Sequence, residues 1–154
     1  HSLKYEKVLG PKIQLVQDNI SCSGKNVIRG LHFQRNNPQG KLVSVLKGSI
    51  FDVAVDLRAN SKTFLKWFGL ILSEENSKQL WIPEGFAHGF IAKDDNTIVN
   101  YKCSRHYDAK SEQTIIWNDK DLNIEWPIDE LNIEVSKKDK LGISVKEYCL
   151  LNKI

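Results

Sequence analysis

The chain has 154 residues, 41% of them hydrophobic and 27% charged, a size that suits one globular domain around one core and is short for two. Its net charge of +3 comes from scattered lysines rather than a basic block, which permits an anionic small molecule and argues against a nucleic-acid partner. No apolar run nears the roughly 20 residues that span a bilayer, and no basic-then-apolar leader opens the chain, so the expectation is a soluble, cytoplasmic protein with no membrane partner.

The cysteines, Cys22, Cys103 and Cys149, are odd in number and far apart, and no CxxC spacing occurs. Ordinary thiols are expected, with neither a disulfide framework nor a zinc site. Methionine is absent, and the opening His1-Ser2 has the look of a tag scar or a processed end, so His1 is left out of the site.

In chain order, runs rich in β-branched and aromatic residues predict strands over Val27 to Phe33, Lys41 to Leu46, Ser49 to Leu57, Phe64 to Leu72, Gln79 to Ile82, Phe86 to Ala92 and Thr97 to Cys103. Turn-forming clusters separate them: Asn36 to Gly40, Lys47-Gly48, Pro83 to Gly85 and Asp94 to Asn96. Many short strands at regular spacing mean an all-β sandwich or barrel. The polar stretch Ser136 to Lys140 is expected to loop over the surface. Helix is predicted only for Ser144 to Asn152, a peripheral element with Val145, Tyr148, Cys149 and Asn152 on one face.

Two hairpins would aim polar groups inward. If Lys47-Gly48 is a two-residue turn, Leu46 pairs with Ser49, Val43 with Asp52 and Lys41 with Ala54, so that Lys41, Asp52 and Asp56 share a face. Leu42, Leu46, Phe51, Val53, Val55 and Leu57 then form the opposite, apolar row, a core or interface surface. A turn at Lys93 to Asn96 would put His88 opposite Tyr101. Singly, each residue has a structural explanation: an exposed salt bridge for Lys41, a hydrogen-bonded core imidazole for His32 or His88, an amphipathic barrel plug for Tyr101. Jointly, Arg29, His32, Lys41, His88 and Tyr101 are costly to bury around one small barrel without a ligand to pair them.

Several motifs carry a resemblance. They are Val16-Gln17-Asp18-Asn19, Arg29 to Gln34 (RGLHFQ), Gln39 to Val43 (QGKLV), Phe51 to Asp56 (FDVAVD) and Pro83 to Phe90 (PEGFAHGF). Tyr101-Lys102-Cys103, Tyr107, Glu112, Trp117-Asn118-Asp119, Trp126-Pro127 and Ser136 to Asp139 follow. In order and spacing the sequence resembles the dTDP-4-dehydrorhamnose 3,5-epimerase family over most of its length.

The resemblance implies a cupin-type double-stranded β-helix, or jelly-roll barrel, with short peripheral helices. It implies one domain over residues 1–154, a homodimer and no cofactor. The substrate would be a dTDP-4-keto-6-deoxy sugar, epimerised at C3, C5 or both in deoxysugar and polysaccharide biosynthesis. By position, His32 would be the general base, Tyr101 the proton donor, and Asp139 the carboxylate that pairs with His32. Gln17, Asn19, Arg29, Lys41, His88, Tyr107, Glu112 and Lys138 would contact substrate. Family members usually begin with a longer segment bearing an Asp-x-Arg-Gly motif whose strand reaches the partner subunit. No trace of it precedes Ser2, so that segment is expected to be missing.

These residues suit proton removal beside a ketone. Lys41, a point charge held by Asp52 or Asp56, would stabilise the enolate oxygen, with His88 as a second donor. An imidazole tuned by a carboxylate suits the base, and a phenol can return the proton from the opposite face. A metal-dependent cupin is a rival, since Pro83-x-Gly85-x-x-His88 matches one metal motif. The other motif needs an HxH pair, whereas Phe33 and Gln34 follow His32, so no metal is expected. A non-catalytic sugar-nucleotide barrel and a single-position epimerase using another nucleotide complete the alternatives.

Overall fold

The computed structural model describes residues 2–128 and 132–154. His1, excluded above from the site, lies outside the described residues. The chain runs α1 (Ser2–Leu9), β1 (Gln17–Ser23), β2 (Val27–Gln34), β3 (Lys41–Lys47), β4 (Ser49–Asp56), β5 (Trp67–Ser73), β6 (Gln79–Ile82), β7 (Phe86–Ala92), β8 (Thr97–Cys103), β9 (Glu112–Thr114), β10 (Glu134–Val135), α2 (Lys137–Lys140) and α3 (Val145–Asn152). One sheet has the order β1-β8-β3-β6, and the other has β10-β2-β7-β4-β5 with β9 also on β2. Strands adjacent in sequence, from β1 to β8, alternate between the sheets except where β4 pairs with β5, and the result is the cupin-type jelly roll.

That alternation overturns both expected hairpins. Lys47-Gly48 and Asp94 to Asn96 are tight turns, but each hands the chain from one sheet to the other, so β3 and β4 do not pair, and neither do β7 and β8. Lys41 lies beside Cys103 and Ile82 rather than Ala54, Val43 beside Tyr101 and Leu80 rather than Asp52, and Ser49 beside Ser73 rather than Leu46. His88 lies beside His32 and Ala54, not Tyr101. A short turn brings two strands close without deciding which sheet the second joins.

Inward residues of β3, β4, β7 and β8, including Val43, Val45, Ile50, Phe90 and Val99, fill one end of the space between the sheets. Burial of each such side chain stabilises the fold by about 1.5–3 kcal/mol. The apolar row of β4 packs against the chain itself. Val53, Val55 and Leu57 are buried under the chain's own C-terminal segment with Trp126, Val145 and Tyr148, and Phe51 packs against that core edge-on to Trp126 at 6.1 Å. Leu42 is also buried, and Leu46 is exposed.

The C-terminal helix matches its expected span. Ser144 caps it by accepting from Glu147 N–H, while the Glu147 carboxylate accepts from Ser144 N–H in a reciprocal capping box. Tyr148 O–H donates to the Leu57 carbonyl at 3.1 Å, tying α3 to the end of β4. Two expectations fail here. Ser2–Leu9 forms a helix the pattern did not predict, and Ser136 to Lys140 is no surface loop. Ser136 caps α2 by accepting from Asp139 N–H, and that helical turn carries Asp139 into the interior, 3% exposed. No described helix is long and apolar enough to cross a membrane.

Candidate active site

Strand β2 delivers His32 to the interior through a bulge. The β2–β7 register shifts between Arg29 and His32, around Gly30, whose φ is +125°. A Cβ on Gly30 would stand 2.5 Å from Gly89 Cα, so only glycine lets the two backbones approach this closely. A bulge re-aims the side chains that follow, and His32 emerges directly across from His88.

The inward positions of β3 and β8 change from apolar to polar toward the same end of the barrel: Val45, Val43, Lys41 along one and Val99, Tyr101, Cys103 along the other. Gln17, Asn19 and Ser21 on β1 extend this wall. Opposite stand His32 and His88 from the second sheet. Between the walls is a cavity of about 340 Å³, with an adjoining recess of about 80 Å³. The larger volume lies within the usual range for a small-molecule pocket. His32, Lys41, Tyr101, Gln17 and Asn19 line both.

His32 Nε2 lies 2.6 Å from Asp139 Oδ1, and Asp139 Oδ2 accepts from Gly30 N–H at 3.3 Å. Burial works to raise the Asp139 carboxyl, but the hydrogen bond and charge of His32 outweigh it and hold the group below its ordinary value. An ionised carboxylate only accepts, so it fixes the imidazole proton on Nε2 and leaves Nδ1 as the basic nitrogen.

A second cluster closes the mouth. Tyr107 O–H donates to Glu112 Oε2 at 2.6 Å, and Lys138 Nζ donates to the same oxygen. Burial opposes ionisation of Glu112, yet these two donors keep its carboxyl below the ordinary range. Gln17 Oε1 accepts from Tyr107 N–H at 2.7 Å, anchoring the loop to β1. Arg29 is exposed at the rim, its guanidinium donating to Ser23 Oγ and the Cys22 carbonyl at 2.9 and 3.1 Å.

Lys41 is placed differently from expectation. Among the described residues its ammonium makes no ion pair, and desolvation by burial depresses its pKa. Asp52 instead meets His88, with Oδ1 2.6 Å from Nε2, and acts on Lys41 only through its charge. Asp56 is not part of the site. It takes a two-pronged ion pair from Arg58 at 2.8 Å and hydrogen bonds from Ser61 and Thr63, and these hold its carboxyl far below the ordinary value. Burial raises the Tyr101 pKa, so the phenol keeps its proton at neutral pH. Among the described residues no three His, Cys, Asp or Glu side chains are grouped to hold a metal ion.

Ser21 and Phe90 also line the cavity and Cys103 the recess, and none was predicted as a site residue from the sequence. Each lies two residues beyond a site residue on its strand, Asn19, His88 and Tyr101, so the period of a strand carried the signal.

A cupin-type barrel with a His–Asp pair, a partly buried lysine and a protonated phenol around one cavity defines an enzyme site suited to proton transfer. The family profile of dTDP-4-dehydrorhamnose 3,5-epimerase matches residues 2–147. The dTDP-4-dehydrorhamnose 3,5-epimerase of Salmonella typhimurium is 53% identical over 136 residues, 88% of this chain and 74% of that protein. The Methanothermobacter thermautotrophicus enzyme of the same name is 52% identical over 132 residues, 85% of this chain and 71% of that protein. The crystal structure of the Legionella pneumophila dTDP-6-deoxy-D-glucose-3,5-epimerase in complex with dTDP-4-keto-L-rhamnose superposes with a TM-score of 0.91 at 47% identity. That match covers 95% of this chain and 77% of that one. The chain belongs to the dTDP-4-dehydrorhamnose 3,5-epimerase family.

Proposed function

We infer that this chain, as one cupin-like domain over residues 1–154, is an isomerase that epimerises a dTDP-4-keto-6-deoxy sugar at C3, C5 or both. The observation that carries the mechanism is the disposition of His32 and Tyr101 on opposing sheets around one cavity, with Lys41 on the strand next to that of Tyr101. His32, oriented by Asp139, removes the proton from the carbon beside the ketone, and the C–H electrons pass into an enolate. Lys41 holds the developing oxyanion, with His88 as second donor. Tyr101 then protonates the opposite face of that carbon. The protonated imidazole and the phenolate exchange with solvent to reset the site. The same ketone activates C3 and C5 in turn, and because His32 and Tyr101 carry both proton transfers, the reaction needs no cofactor or metal.

Gln17, Asn19, Arg29, Tyr107, Glu112 and Lys138 ring the mouth and suit the thymidine diphosphate, the cations Arg29 and Lys138 facing phosphate. A homodimer is supported by family membership and by the outer face of the β1-β8-β3-β6 sheet, where Ile20 and Leu46 are 69% and 55% exposed. We read the protein as cytoplasmic, without nucleic-acid or membrane partners.

Proton NMR of dTDP-4-keto-6-deoxyglucose with the protein in heavy water tests the reading. Deuterium entering C3 or C5 with inversion supports it. A tightly bound sugar nucleotide with no exchange returns the protein to a binding barrel.

A further inference from the structure

Among the described residues only two buried side-chain polar atoms lack a hydrogen-bond partner, Ser21 Oγ and Asp52 Oδ2. Asp52 already engages His88 through its other oxygen. Ser21 engages nothing through its side chain, and it lines the 340 Å³ cavity beside Phe90 and His88. A buried, unpaired hydroxyl opposes folding, and alanine fits the same backbone without that cost. Polar groups kept at such a cost are the ones a ligand satisfies.

We propose that Ser21 is a substrate-positioning residue whose hydroxyl hydrogen-bonds the C2 hydroxyl of the sugar, an inference that rests on the epimerase reading above. The stereochemistry of the substrate selects this group. In a 4-keto-6-deoxy sugar linked through C1, free hydroxyls remain at C2 and C3. The C3 hydroxyl swings to the other side of the ring when C3 inverts, so no fixed donor can hold it through the reaction. The C2 hydroxyl keeps its configuration at every step. A hydrogen bond there fixes the ring while the 4-keto oxygen stays at Lys41 and His32 works on the neighbouring carbons. β1 offers its inward side chains in the order such a ligand needs: Gln17 at the mouth, Asn19 beside Tyr101, and Ser21 one step deeper, beside Val99.

The test compares wild type, Ser21→Ala and Ser21→Thr on the 4-keto-6-deoxy substrate and on its 2-deoxy analogue, with thermal midpoints measured on the free proteins. Ser21→Ala is expected to lower kcat/KM about tenfold on the 2-hydroxy sugar, the discrimination of one lost hydrogen bond, and to leave the 2-deoxy sugar unaffected. Its thermal midpoint should equal or exceed that of wild type, and Ser21→Thr should restore part of the activity. Equal losses on both sugars, no loss on either, or a lowered midpoint for Ser21→Ala overturns the role of Ser21 and leaves the epimerase reading intact. A wild type that turns over neither sugar overturns the epimerase reading, and the Ser21 assignment with it.

Discussion

His32 and His88 are direct partners across the β2–β7 ladder, and each places Nε2 2.6 Å from an aspartate of its own, Asp139 and Asp52. Their surroundings separate them. The His32 side chain is 29% exposed and that of His88 only 7%, so the first presents a free edge to a ligand while the second is embedded in the wall. This difference supports the proposal of His32 rather than His88 as the base.

Replacement of His32 by alanine should abolish solvent exchange at every carbon the wild type exchanges. Asp139→Asn keeps the shape but no longer enforces the tautomer, and should lower kcat by about 10²–10⁴-fold with little change in KM. Heavy-water NMR and steady-state kinetics measure the two effects. Exchange by His32→Ala within about tenfold of wild type would move the base role elsewhere.

Lys41→Met should cost about 10²–10³-fold in kcat, the usual loss of an oxyanion donor. It should also change how stability responds to pH. The folded-state pKa of Lys41 lies below its ordinary 10.5 because burial desolvates the ammonium. Below that folded-state value the charge opposes folding. Between it and 10.5 the unfolded chain binds more protons than the folded one, so stability rises with pH. The variant lacks this rise, and at pH 7 it should be at least as stable as wild type. Denaturant titrations from pH 7 to 10 of both proteins measure the difference, and a variant clearly less stable at pH 7 would mean that Lys41 has a partner in solution.

Light scattering at micromolar protein should give the mass of a homodimer, and Ile20→Asp on the outer face of β1 should shift it toward the monomer. A monomeric wild type, or a dimer indifferent to a charge at position 20, would place the contact elsewhere.

The positions of β2 to β8 were legible, though not those of β1, β9 and β10, because alternation and turn residues are local: the spans of β6, β7 and β8 follow directly from Gln79 to Ile82, Phe86 to Ala92 and Thr97 to Cys103. Sheet membership was not, since the direction in which the chain leaves Gly48 or Asn96 depends on what the rest of the barrel already covers. The pairing of Lys41 with Asp52 and Asp56 failed for that reason, and so did the view of Val53 and Val55 as an outer face. Many of the residues that line the cavity, His32, Lys41 and Tyr101 among them, stand in the family motifs. Asp139 shows the limit of a local reading, because Ser136 to Lys140 looks like solvated loop until Ser136 caps the turn that buries the carboxylate.

Proton removal at one wall and proton return at the other are the centre of the proposed mechanism, and Tyr101→Phe tests them most directly. The ring still fills its place, so the fold should persist and His32 should still form the enolate over Lys41. With no donor on the far side, the enolate recovers its proton from the base side, where the imidazole has exchanged with solvent. Heavy-water NMR of the variant should therefore show deuterium entering C3 or C5 with retained configuration while inverted product is nearly absent. Exchange and inversion falling in parallel, or inversion continuing near the wild-type rate, would contradict the two-walled mechanism and turn attention to Tyr107 as the acid.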